Sequence, residues 1–336
     1  MQPDYAYHPE EERRPHWGRR IAIGFLIVLL AALIGGGWYA KMIFDDLSKM
    51  SSRPFGLAGL ATDGSGRTNV LILGQGDPGH AGEGLTDTIM LLSYDSASKR
   101  VAQVSVPRDL RVNIPGYGEG KINSANADGG VSLAVQTVSE TLGVPIQYYV
   151  MVDFTGLQKL VDAVGGVDVN VTDRLVDPEY PCADNQYAVC GLDIEPGLQH
   201  MDGARALEYV RCRKGTCGND FGRAARQQEI LNLVREKAVK WDVLLNPTKL
   251  KPITAAIGGS VQTDMSVRQM LELGWDWQQA QKNNPIRLVL NYNQGNYLVG
   301  DPAGSSDLLP AAGDFSAIQD RVNNIFTEPT LPGDLP

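Results

Sequence analysis

Histidine is scarce in this chain. Its four copies, His8, His16, His80 and His200, are scattered and no His-Glu-x-x-His pair occurs, which excludes the usual histidine-built metal sites. An excess of basic charge is also missing. The net charge is −9 and the isoelectric point is near 5.0, so there is no broad basic surface for nucleic acid. The glycine-rich stretch 74–79 is followed by no Gly-Lys-Ser/Thr and opens no helix. That rules out a Walker A loop and a dinucleotide fingerprint. No internal repeat and no second Pro/Gly-rich linker divides the polar part of the chain.

One long apolar run is present. Between Arg20 and Lys41 there is no charged residue, and Ile21 to Tyr39 reads IAIGFLIVLLAALIGGGWY. This is the length that crosses a bilayer core. A charge at its centre would cost roughly 2.5–3.5 kcal/mol on insertion scales, so the absence of one is informative. Arg13, Arg14, Arg19 and Arg20 precede the run, while Asp45 and Asp46 follow it. The positive-inside rule then puts the N-terminus in the cytoplasm and the bulk of the chain outside. A cleaved signal peptide is the alternative, but no clear A-x-A site ends the run. The expected order is a cytoplasmic tail over 1–20, a single-pass membrane helix over 21–40 and a juxtamembrane spacer over 41–66. One extracellular α/β domain follows over 67–327, then a loose tail over 328–336.

Within the domain, Asn69 to Leu73 is a short apolar run emptying into glycines, the pattern of a buried strand ending in a loop. Asp77 lies in that loop. Asp87 and Thr88 open a second apolar strand, and Val101 to Val106 is a third, which ends in Pro107-Arg108-Asp109. In a parallel-type sheet such strand ends gather on one rim, where ligands bind. A carboxylate at the place of Asp87 suits Mg²⁺, and a turn or cap aspartate is the plainer alternative. Asp109 reads as a structural partner of Arg108. Residues 125–142 have helical apolar spacing with Gly143 as a stop. Helices are also expected over 154–164, 223–239 and 315–326, and within 241–283. Residues 172–200 read as a loop.

The stretch Tyr209 to Glu229, YVRCRKGTCGNDFGRAARQQE, runs against the acidic background. Arg211 and Arg213 are two apart, so an extended segment would put them on one face. Arg223 and Gln227 are four apart, which puts them on one helix face. Guanidinium forks and a helix start together suit a phosphate. A solvated basic helix is the bland alternative.

The four cysteines, Cys182, Cys190, Cys212 and Cys217, all lie beyond the expected span, in an oxidising space. Two local bridges, Cys182–Cys190 and Cys212–Cys217, are expected, although the sequence alone allows three pairings. A catalytic cysteine and a four-cysteine zinc site are the alternatives.

Seven ordered blocks carry a family resemblance. They are Thr86-Asp87-Thr88-Ile89-Met90, Ser105-Val106-Pro107-Arg108-Asp109, Ile114-Pro115-Gly116, Lys121-Ile122-Asn123, Gly165-Gly166-Val167-Asp168-Val169, Tyr209-Val210-Arg211-Cys212-Arg213, and Asp220-Phe221-Gly222-Arg223 running on to Arg226-Gln227-Gln228. The chain resembles the LytR–CpsA–Psr (LCP) family over residues 68–327. The resemblance implies an α/β/α-type domain with a central mixed sheet and a hydrophobic pocket for polyprenyl (pyro)phosphate lipids. The implied activity moves a glycopolymer from a polyprenyl-pyrophosphate carrier to peptidoglycan at the membrane surface, assisted by Mg²⁺. Lipid sensing without turnover and lipid pyrophosphate hydrolysis are the alternatives. By residue match, Arg108, Arg211, Arg213, Arg223 and Gln227 would hold the pyrophosphate. Asp87 would ligate Mg²⁺ and help to activate the acceptor hydroxyl. One departure stands out. The second acidic position of the family is Gln75 here, so Asp77 is the candidate replacement.

Overall fold

The computed structural model describes residues 36–46, 48–49, 51–53, 56, 58–75, 84–182, 188–218, 220–238, 261–280, 285–291, 297–328 and 334–335. Contacts divide the chain into two units, Met1–Ile43 and Phe44–Pro336. In the first, the described residues, 36–43, are helical. Residues 21–35 of the expected span lie outside the described residues. Among the described residues no helix is long and apolar enough to cross a membrane.

The second unit is built on β1 (Arg67–Gln75), β2 (Thr86–Asp95), β3 (Arg100–Val106), β4 (Arg111–Ile114) and β5 (Gly118–Lys121), followed by α1 (Ala125–Leu142), β6 (Tyr148–Asp153) and α2 (Phe154–Ala163). Next come β7 (Val167–Val171), β8 (Leu175–Asp177), β9 (Leu192–Ile194), β10 (Gly197–Met201), α3 (Gly203–Arg211) and α4 (Asp220–Ala238). The described part closes with β11 (Val261–Thr263), α5 (Val267–Gln279), β12 (Ile286–Val289), β13 (Leu298–Gly300), β14 (Leu308–Pro310), α6 (Ser316–Asn323) and β15 (Asp334–Leu335).

Among the described residues, seven strands form a central sheet in the order β11-β6-β1-β2-β3-β12-β15. It is mixed. β1 runs parallel to β6 and β3 parallel to β12, while β1–β2 and β2–β3 are antiparallel. This is the mixed sheet that the family resemblance implied, not the parallel-type rim read from the strand ends alone, and the difference is what assembles the site. In an antiparallel pair the start of β2 lies beside the end of β1 and the end of β3. In a parallel sheet it would sit at the opposite edge.

The apolar run in β1 is continuous because both its faces are covered. Leu71 and Leu73 pack with Leu142 of α1 and Ile318 of α6, whereas Val70 packs with Met265 and Leu273 on the α5 side. A third cluster joins α2, α3 and α4 with β7 through Val161, Leu207 and Ile230. Gly143 ends α1 in the left-handed conformation, φ 66°, which a residue without Cβ adopts cheaply. Residues 172–200 are not a plain loop. They hold β8, β9 and β10, strands too short to announce themselves by alternation. Residues 51–61 contribute to the same unit: Ser52 N donates to Thr263 O at 3.0 Å and Ala61 N to the Tyr148 hydroxyl at 2.7 Å.

Candidate functional site

Asp87 owes its position to a β-bulge. Gly74 pairs with Thr88 and Gln75 with Thr86, so Asp87, between them on β2, has no partner on β1. A bulge re-aims the side chain that carries it. The strands touch closely here, since a Cβ on Gly74 would come within 2.8 Å of the Thr88 Cβ. Arg108, just past the end of β3, donates from Nη1 to Asp87 Oδ1 at 2.6 Å. Its Nε lies 3.5 Å from Asp109 Oδ2, and Asp109 is held in turn by Lys121 Nζ at 2.7 Å. Asp109 therefore braces Arg108, as its place in the sequence suggested. Arg223, 7% exposed, donates from Nη2 to the Asp87 carbonyl at 3.1 Å.

Arg211 is the last residue of α3, whose first turn is capped by Asp202 accepting from Arg205 N. The extended Arg211–Arg213 segment expected from the spacing is therefore corrected: the helix runs to Arg211 and only Cys212 onward leaves it. The α3 cap and the apolar face of Ala206, Leu207 and Val210 carry the helix that far. Arg211 lies over the Phe154 ring at 4.5 Å and the Tyr180 ring at 5.7 Å.

The loop after Arg211 is pinned twice. The Cys212–Cys217 disulfide closes it. Asp177, 2% exposed, accepts from Arg213 N and Lys214 N, each at 3.1 Å. Arg226, one turn along α4 from Arg223, donates to the carbonyls of Tyr209 and Cys217, each at 2.9 Å, and to that of Cys212. Burial pulls its pKa down from the ordinary guanidinium value. In the sequence Arg226 is only one more charge of the basic stretch. Its separation of 14 residues from Cys212 gave no signal that it would hold that loop.

The second expected disulfide, Cys182–Cys190, is also formed, and no cysteine is free. Asp177 converges with Cys212 and Cys217 within 4.8 Å, but bonded sulfurs are not thiolate ligands. The pairing also removes the nucleophile of the catalytic-cysteine alternative.

Two polar keys set α4 on the sheet. Gln228 Nε2 donates to Ser105 Oγ at 2.8 Å, and Gln103 Nε2 to Asn232 Oδ1 at 3.0 Å, all of them buried. With the helix in that register, Arg223 and Gln227 both face one cleft.

That cleft has a cavity volume of about 350 Å³ and lies against the sheet between α2, α3 and α4. Asp87, Arg108, Arg211, Arg213, Arg223 and Gln227 all line it. Its other lining is largely apolar, with Ile72 and Met90 from the sheet, Leu157 and Leu160 from α2, and Ile230 and Val234 from α4. Arg211 and Arg213 have no carboxylate partner among the described residues. Lys214, also at the cleft, sits 3.5 Å from Glu179. Asp77 lies outside the described residues. Gln75, at the end of β1, lines the cleft and presents an amide there. Asp87 offers carboxylate oxygens of the kind Mg²⁺ accepts, and Arg108 Nη1 already holds one of them at 2.6 Å.

Three comparisons place the chain. The LytR_cpsA_psr family model matches residues 45–305. The polyisoprenyl-teichoic acid–peptidoglycan teichoic acid transferase TagU of Enterococcus faecalis is 32% identical over 269 residues, 77% of this chain and 83% of that protein. The crystal structure of B. subtilis TagV is similar with a TM-score of 0.61 and 26% identity, over 77% of this chain and 97% of that one. The structure of TagT bound to LI-WTA is similar with a TM-score of 0.60 and 25% identity, over 82% of this chain and 96% of that one. The antiparallel gathering of Asp87 with Arg108, the arginine cage on α3 and α4, and the family match over most of the polar chain lead to one conclusion: this protein belongs to the LytR–CpsA–Psr family.

Proposed function

We propose that the protein is a membrane-anchored phosphotransferase. It moves a glycopolymer from a polyprenyl-pyrophosphate carrier to a peptidoglycan hydroxyl and releases polyprenyl phosphate. The observation that carries this reading is the cleft itself, an apolar trough whose mouth holds four arginines, two of them without a carboxylate partner among the described residues. An isoprenoid tail matches the trough and a pyrophosphate matches the mouth. The related protein TagU is named for transfer of teichoic acid to peptidoglycan, which is the same class of reaction.

In this reading Arg211, Arg213 and Arg223 hold the pyrophosphate oxygens with Gln227 beside them, and Arg108 orients the Asp87 carboxylate. The acceptor oxygen attacks the phosphorus that bears the glycan. A new O–P bond forms as the bond to the bridging oxygen breaks, and polyprenyl phosphate leaves with the electron pair. The hydroxyl proton passes to the Asp87 carboxylate. Positioning and charge stabilisation supply most of the rate, so no covalent nucleophile is needed. Asp87 would hold Mg²⁺, with Gln75 lining the same cleft; Asp77 is the second candidate ligand by its place in the sequence alone. The ion supplies charge neutralisation on the transferring phosphoryl group.

The apolar run 21–40 and its basic flank support an anchor with the N-terminus cytoplasmic and residues 67–327 extracellular, where both the lipid carrier and peptidoglycan are met. The test uses the full chain in detergent micelles with a lipid-pyrophosphate-linked glycan, peptidoglycan fragments and Mg²⁺, and Arg108→Ala as control. Glycan joined to the fragment, together with released lipid phosphate, is the expected result. Free glycan would mark a hydrolase, and binding without turnover would mark a sensor.

A further inference from the structure

Arg211 differs from the other cage arginines in how it is held. Arg108 and Arg223 are fixed by hydrogen bonds to Asp87. Arg211 has no hydrogen bond or ion pair among the described residues. What it has is two aromatic rings, Phe154 at 4.5 Å and Tyr180 at 5.7 Å. Phe154 is the first residue of α2, and Tyr180 follows β8, so the two rings come from separate elements and both line the cleft.

Tyr180 is itself set firmly. It is 7% exposed and its N donates to the Asp177 carbonyl at 3.3 Å. Its carbonyl accepts from Cys190 N at 3.0 Å and Gly191 N at 3.1 Å, at the neck of the loop that the Cys182–Cys190 bond closes. Asp177 joins this segment to the cage, because the same carboxylate accepts from Glu179 N, Arg213 N and Lys214 N. The disulfide loop and the cage loop therefore share one buried hub.

We propose that Phe154 and Tyr180 are positioning residues for phosphate recognition: their rings hold the Arg211 guanidinium, leave its N–H groups for the ligand, and depend on the Cys182–Cys190 loop to keep Tyr180 in place. The physical reason is entropy and hydration. A free arginine loses substantial rotamer entropy when it is fixed. Its guanidinium is weakly hydrated on its faces and stacks on aromatic rings at little cost. A side chain ordered before the ligand arrives need not be ordered by it. This inference rests on the phosphate-binding reading of the cleft.

The test is calorimetric binding of geranylgeranyl pyrophosphate to the full chain in micelles, with fold checked by circular dichroism. Tyr180→Leu and Phe154→Leu are each expected to weaken binding about five- to twentyfold, and Tyr180→Phe to restore it to within about twofold. In turnover assays the loss should appear in KM with kcat nearly unchanged, as for uniform binding. The deciding arm is a double-mutant cycle. If the rings act through Arg211, Tyr180→Leu has no further effect in an Arg211→Ala background. Additive losses in that background would overturn the inference and make Tyr180 a packing residue. Cys182→Ser with Cys190→Ser should reproduce part of the Tyr180→Leu loss, and unchanged binding there would overturn the role of the loop. Wild-type protein that fails to bind the probe would overturn the phosphate reading as well. Wild-type binding with both leucine variants unaffected would overturn the clamp alone.

Discussion

Arg108 reaches from the end of β3 across the start of β2 and places its Nη1 2.6 Å from Asp87 Oδ1, the carboxylate that the bulge leaves without a strand partner. The pair is partly exposed, with Asp87 36% and Arg108 21% accessible at the side chain. It stands at the cleft rather than inside the core, where a ligand can reach it.

Asp87→Asn keeps an oxygen for Arg108 and removes the carboxylate charge. Turnover is expected to fall by about 10²–10⁴-fold, the usual span for a lost acid–base group. Lipid pyrophosphate binding should remain within a fewfold of wild type. Parallel measurements of glycan transfer and calorimetric binding check this, and full turnover in the variant would remove Asp87 from the chemistry.

Arg213→Ala deletes a guanidinium that has no carboxylate partner among the described residues, so little structure should be lost with it. Binding of the lipid pyrophosphate is expected to weaken by about 1.5–3 kcal/mol, the worth of a charge-assisted hydrogen bond. Equal affinity in the folded variant would defeat the cage.

Arg226→Met should behave differently. Three backbone carbonyls around the Cys212–Cys217 loop lose their donor, and each buried unpaired carbonyl costs about 1–3 kcal/mol. The variant should unfold at distinctly lower denaturant concentration, and its loss of binding should track the loosened loop. Stability equal to wild type would show that the disulfide and Asp177 suffice.

Asp264 gives a pH signature. Burial pushes its pKa up, partly opposed by the hydrogen bond it accepts from Tyr149 N at 3.0 Å. The folded protein therefore holds this proton more tightly than the unfolded chain. Its contribution is fully present below the unfolded pKa and is lost as pH rises through the raised folded value. Asp264→Asn keeps the acceptor without the charge. It should melt at a higher temperature than wild type at pH 7, with the difference shrinking in acid. A gap independent of pH would contradict the assignment.

Much of the site was legible because its residues are local signals. Asp87 and Arg108 sit at the ends of apolar runs, and Arg223 and Gln227 repeat at helical spacing. The two disulfides were legible because their partners are near in sequence, with separations of 8 and 5. Three features were not. The antiparallel pairing of β1, β2 and β3 follows from long-range register, which no run of apolar residues encodes by itself. The helical state of Arg211 was masked because two arginines two apart fit a strand as readily as a helix end. The role of Arg226 depends on carbonyls that loop closure brings to it.

The sequence by itself determined the family, the expectation of two local disulfides and several of the charged residues that line the cleft, because these rest on residue identity and short spacing. Only the tertiary structure decided how the set is held. Bulge geometry, strand direction and the two rings around Arg211 arise from contacts between elements far apart in the chain, where packing rather than local preference chooses the conformation.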